Sequence, residues 1–133
     1  MIYLSEARDW VRTLGLFDGY WIGRLSVKRE NTLGVYPLRQ SPPRREVLSG
    51  SERNYDVTGI HFLIHGGKNK DEAERLAWDF YHALENRSAF MINGKTVYFI
   101  RLLYDGPIDV DSDHEVYEYT VQAEFISERN ACI

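Results

Sequence analysis

Over 5–14 the apolar residues Ala7, Trp10, Val11 and Leu14 recur at the spacing that gathers one face of a helix. A short first helix is predicted there, with Ser5 as N-cap and Gly15 as the stop. The run 19–27, GYWIGRLSV, is aromatic and β-branched and predicts a strand. After the polar turn 28–32, GVYPL at 34–38 predicts a returning strand, with Pro37 marking an edge. The stretch 39–55 follows neither apolar period and holds Pro42, Pro43, Gly50 and several serines, so it is predicted to be a long exposed loop. DVTGIHFLIH at 56–65 predicts a buried strand ending at Gly66-Gly67.

The firmest pattern lies between 69 and 86. Ala73, Leu76, Ala77, Phe80, Tyr81 and Leu84 form one continuous helical stripe, and Asn69 with Glu72 fits a capping box at its start. Asn93-Gly94 then separates two apolar runs, 89–92 and 95–104, which is the strongest short-range hairpin signal. A loop is expected over 105–114. The last strand, 115–126, sets Tyr117, Tyr119, Val121, Ala123 and Phe125 against Glu118, Thr120, Gln122 and Glu124, a period of two that predicts one wet face. Helices that do not alternate one-for-one with strands predict an α+β fold, with both helices on one face of a mainly antiparallel, possibly mixed, sheet.

Length and composition narrow the class. A chain of 133 residues, 44% hydrophobic and 27% charged, is ordinary for one soluble domain spanning 1–133. No run of eighteen apolar residues occurs, which excludes a membrane-spanning helix. MIYLSE at the start meets acid at once and lacks the pattern of a signal peptide, so a cytosolic chain is expected. The single cysteine, Cys132, permits no disulfide within the chain and no cysteine-based metal cage. A net charge of −4 argues against a dedicated nucleic-acid binder.

Several motifs approach known chemistry and fall short. Gly66-Gly67-Lys68-Asn69 lacks the first glycine of a nucleotide-binding loop and the hydroxyl after its lysine, and a tight strand-to-helix turn accounts for the same glycines. His61 and His65 lie four apart on a strand, which denies them the helical pairing that aims two imidazoles at one zinc. They share a face, so a weak site with His82 or His114 is the remaining metal reading. Asp109, Asp111 and Asp113 open like a calcium loop, but His114 and Thr120 stand where it needs Gly and Glu. No Gly-x-Ser-x-Gly elbow exists and no pair of carboxylates stands out, so no catalytic, cofactor or metal residue is assigned.

Charge segregation does stand out. Arg39, Arg44, Arg45 and Arg53 fall on one loop against Glu46 and Glu52, while Asp105, Asp109, Asp111, Asp113, Glu115 and Glu118 fill another segment free of Lys and Arg. Two solvated loops would show the same pattern. Blocks of opposite sign are also what a head-to-tail contact between identical subunits would use, and such contacts close into rings when the rotation permits. On that reading Arg39, Arg44, Arg45 and Arg53 meet Asp109, Asp111 and Asp113 across a subunit contact.

Three stretches taken together resemble a known family: Tyr20-Trp21-Ile22-Gly23-Arg24-Leu25 through Asn31 to Gly34-Val35-Tyr36; Ile60 to Asn69 running into Ala73 and Ala77; and Gly106-Pro107-Ile108-Asp109 followed by Val116-Tyr117-Glu118-Tyr119. The chain resembles the phage minor capsid protein family, whose members look like the tail terminators of long-tailed bacteriophages. The likeness runs over 18–129, and the acidic run from Asp109 departs from it where a glycine is expected. It implies two helices against a sheet and a structural role in the virion, at the head-proximal end of the tail. Such proteins are expected to form a six-membered ring on the finished tail tube, stop its growth and offer a surface to the head connector. The implied partners are therefore copies of itself, the tail tube protein and a head completion or connector protein, with no catalytic residue, membrane or sequence-specific nucleic acid. A second possibility from another class is a small ligand- or RNA-binding α+β module that presents Tyr117 and Tyr119 as a stacking platform.

Overall fold

The computed structural model describes residues 1–22, 30–38, 55–85, 87–110 and 116–128. In chain order these form α1 (Leu4–Arg12), β1 (Gly19–Ile22), β2 (Thr32–Pro37), β3 (Tyr55–His65), α2 (Lys70–Glu85), β4 (Ser88–Ile92), β5 (Lys95–Leu102), β6 (Ile108–Val110) and β7 (Glu118–Glu128). The seven strands make one sheet ordered β1-β2-β3-β7-β5-β4, with β6 also on β7. The fold is α+β, and the sheet is mixed and mostly antiparallel.

Strand β7 is the spine. Its whole length pairs with β3, from Tyr55↔Glu128 to His65↔Glu118. Its other side is shared, with β5 along residues 123–127 and β6 along residues 118–120. The expected loop over 105–114 thus contains a strand, three residues long and too short to show a period. Strands β1 and β2 run parallel, Gly19 opposite Thr32, so β2 does not return on β1 as expected but on β3. Pro37 does not mark an edge strand as predicted, since β2 lies between β1 and β3, and it is tolerated there for a local reason. Leu38 donates its N–H to the Gly59 carbonyl, so the neighbouring Pro37–Ile60 pair is a non-bonded one. The nitrogen that lacks a hydrogen points away from β3, beyond the last described pair of β1 with β2, Ile22↔Val35.

Both helices lie on one sheet face. Leu33 and Val35, Ile60, Phe62 and Ile64, Val121, Ala123 and Phe125 form the sheet side of the core. Helix α2 buries Ala73, Ala77, Phe80, Tyr81 and Leu84, the predicted stripe, with Leu76 at its margin. Phe80 meets Phe62 edge-on at 5.0 Å, and Trp10 of α1 meets Phe125 at 6.0 Å while stacking on Phe90 at 4.7 Å. Each such aromatic pair adds about 0.5–1.5 kcal/mol beyond its buried area.

Local signals explain the ends. Asn69 Oδ1 accepts the Glu72 N–H at 3.2 Å, so α2 is capped as the sequence predicts. Asn93 and Gly94 take φ of 48° and 78°, the left-handed pair that a two-residue hairpin demands. Helix α1 begins earlier than Ser5: Tyr3 is its N-cap, and Glu6 reaches back to accept the Tyr3 N–H at 2.9 Å.

Glu6 also binds Lys95 Nζ at 2.8 Å and Asn93 Nδ2 at 2.7 Å, tying α1 to the β4–β5 hairpin. Burial pushes its carboxyl up, but Lys95, the Tyr3 N–H and Asn93 outweigh that and hold it at about 2 against an ordinary 4.5. Its contribution to stability is therefore complete above pH 4.5 and fades as pH falls toward 2. Replacing Glu6 by Gln should cost about 1.5–3 kcal/mol at pH 7. Urea midpoints should show that deficit shrinking between pH 4.5 and pH 2.5, and a deficit independent of pH would contradict the assignment.

Candidate functional site

Of the predicted contact residues, Arg39, Arg44, Arg45, Arg53, Asp111 and Asp113 lie outside the described residues. Asp109 is described. It sits at the centre of β6, exposed, opposite Tyr119 of β7. Tyr119 faces α2 and is 5% exposed, so Asp109 stands on the helix side of the sheet, at the rim of α2.

Around it the structure assembles a surface that the charge pattern only half announced. Tyr119 is pushed above the usual tyrosine range by burial first, and then by the nearby carboxylates of Asp109 and Glu74, with Tyr117 adding to them. Tyr81, whose hydroxyl donates to the Tyr104 carbonyl at 2.8 Å, is raised in the same way by burial, Glu85 and Asp105. Two carboxylate pairs, one member of each on α2 and one on the β5–β6 side, thus flank the outer face of the helix. Between them lies Trp78, 39% exposed, with Tyr104 at 50% beside the same helix. The indole is firmly seated. It packs on Gly106 so closely that a Cβ there would fall 2.5 Å from it, and it lies 5.5 Å from the Tyr81 ring and 5.4 Å from His82. Trp78 falls just off the apolar stripe of α2, and that offset is the sequence signal that it is not a core residue.

No described helix covers the opposite sheet face, yet it is not the wet face predicted for β7. Glu124 is only 4% exposed, gripped by Arg101 of β5 through Nε at 2.7 Å and through a guanidinium NH2. Glu118 takes His65 Nδ1 at 3.0 Å. The charges alternate as a solvated face would, but cross-strand partners bury them. Toward the β4–β5 hairpin this face turns apolar, with Met91, Phe99 and Val57 exposed. On β1 and β3, Trp21 Nε1 and His61 Nε2 are buried without a hydrogen-bond partner among the described residues.

The lesser readings resolve geometrically. A Cβ on Gly66 would lie 2.7 Å from that of Ala73 and 2.9 Å from the Tyr117 carbonyl, so this glycine serves close packing of the strand-to-helix turn. His61 and His65 share the face that no described helix covers, whereas His82 stands on α2 across the sheet, so those two sets cannot meet at one metal; His114 lies outside the described residues. Among the described residues no group of three His, Cys, Asp or Glu is placed to hold a metal ion. A groove of about 470 Å³ runs between residues 1–4 and the start of β3, and its one carboxylate, Asp56, is held by the Met1 ammonium at 3.0 Å. Tyr119 being in the core, the two-tyrosine stacking platform does not form. Set against models of known protein families and against curated proteins, the chain matches none.

His61 carries a consequence for pH. Burial pushes its imidazole below the usual 6.5, so the unfolded chain binds the proton more readily and stability falls as pH drops through 6.5. Thermal melts from pH 8 to pH 5 should show the His61→Leu variant losing less than the parent below pH 6.5, and parallel curves would remove His61 from the account.

Proposed function

We propose that this chain is a virion structural protein, a tail terminator or closely related head–tail joining protein. On this reading it caps a phage tail tube as a homo-oligomeric ring, six-membered as the resemblance implies. It contacts the tail tube protein on one side and a head completion or connector protein on the other, and it works without catalysis. It would be assembled in the bacterial cytoplasm and reside at the head-proximal end of the tail.

The observation that carries this reading is the presence of two chemically different exposed surfaces on opposite sides of the sheet. One is acidic and aromatic, around Trp78, Tyr104, Asp105 and Asp109; the other is apolar, around Met91, Phe99 and Val57. A subunit in a ring makes a heterologous contact, which needs two unlike patches, and a ring that also touches a tube needs more surface still. The two helices on one face of a mainly antiparallel sheet are also the architecture that the resemblance implies. Deleting the gene from its phage and imaging the particles tests the reading. Tails of uncontrolled length, unjoined to heads, are expected. Normal-length tails attached to heads would overturn it.

A further inference from the structure

We infer that the outer face of α2 and β6 docks the arginine-bearing segment 39–53 of a second copy of this chain. The inference rests on the ring-forming reading above and names the surfaces through which the copies meet.

The recognising chemistry is specific to a guanidinium. Asp109 stands in register with Tyr119 on the helix side of the sheet, and Glu74, Trp78, Tyr81 and Glu85 recur at helical spacing along one flank of α2, in keeping with the upward push these carboxylates and Asp105 exert on Tyr119 and Tyr81. Like charges held together on a rigid scaffold favour an incoming cation. Between them lies an exposed indole that Gly106 and Tyr81 hold in place. A guanidinium pairs with carboxylates in a fork and stacks on indole, and lysine does neither as well. Arg75 on the same helix is committed to Asp71 at 2.8 Å. The chain carries a matching block of four arginines, Arg39, Arg44, Arg45 and Arg53.

Sheet topology favours a second copy over the same one. Segment 39–54 leaves from Leu38, level with Gly59, and returns at Tyr55. Asp109 lies opposite Tyr119, which is level with Ile64. At about 3.3 Å per residue and about 4.8 Å per strand, Asp109 is roughly 20 Å from Leu38 and roughly 30 Å from Tyr55 within the sheet plane. The intervening chain spans at most about 60 Å fully extended. Touching Asp109 within one molecule would use most of that length on a single contact and bring one arginine there, not four. A neighbour set head-to-tail has no such limit.

The first test titrates a fluorescent peptide of residues 38–54 into full-length protein carrying R39E, R44E, R45E and R53E, whose own segment cannot compete. Saturable binding that weakens with added salt is expected. It should weaken at least tenfold with E74Q, E85Q, D105N and D109N together, at least tenfold with Trp78→Ala, and severalfold when the peptide's arginines become lysines. Circular dichroism checks that each variant is folded, and the exposed carboxylate set remains decisive if the Trp78 variant is not. No saturable binding, or binding indifferent to the carboxylate set, overturns the inference. The second test mixes the carboxylate variant with the arginine-reversed chain above the peptide's dissociation constant. Sedimentation should show a one-to-one complex where neither chain associates alone, and a mixture that stays monomeric overturns the contact between copies. Peptide binding that fails while gene deletion still gives overlong tails removes this surface and leaves the proposed function; normal tails remove the function itself.

Discussion

The constraint on which the rest of the structure depends is that β7, buried on both sides, must satisfy every backbone amide and carbonyl along its length. A buried, unpaired peptide group costs as much as a lost hydrogen bond. One flank is met by the eleven-residue β3. The other is met in two pieces, β5 and then β6, with the turn around Gly106 between them. That division places Trp78 over Gly106 and brings Asp105 and Asp109 beside α2. The proposed docking surface is a by-product of how a long central strand is paired by two shorter ones.

The same strand decides what each sheet face can be. With α1 and α2 both on one side, no described helix supplies partners for the polar groups of the other. Those groups are met by cross-strand pairing, Arg101 with Glu124 and His65 with Glu118. Only the carboxylate of the Arg101–Glu124 pair is buried, the Arg101 side chain being exposed, and desolvation of Glu124 opposes the attraction, so the pair is weak evidence of stability. Its role here is to let a face patterned like a solvated one lie among close-packed strands.

Much of the fold was legible wherever a signal was local and long enough. The stripe from Ala73 to Leu84, the Asn69 cap and the Asn93-Gly94 turn each follow from spacing or backbone preference alone, and each is where the pattern puts it. What the sequence hid depends on partners distant in the chain. The parallel pairing of β1 with β2 leaves no trace in either strand's composition, and β6 is too short to show a period. Glu124 reads as exposed until Arg101 is known to lie across from it. Of the charge pattern, Asp109 does sit on an accessible acidic surface, but its neighbours Glu74, Glu85 and Trp78 come from α2. They were masked because a helix's outer residues ordinarily mean only solvent.

The attachment of α1 has a bearing on how the chain is held together. This helix is nine residues long, too short to persist in water by itself. What holds it is both near and far in the chain: β1 and β2 pack against it, and far downstream Phe90 and Phe125 meet Trp10 and Lys95 meets Glu6. The helix thus gathers its partners from two places, a sheet edge near it in sequence and a hairpin far along the chain. A chain without the β4–β5 hairpin would keep the β1 and β2 side of this contact and lose the Trp10–Phe90 stack and the Glu6–Lys95 pair.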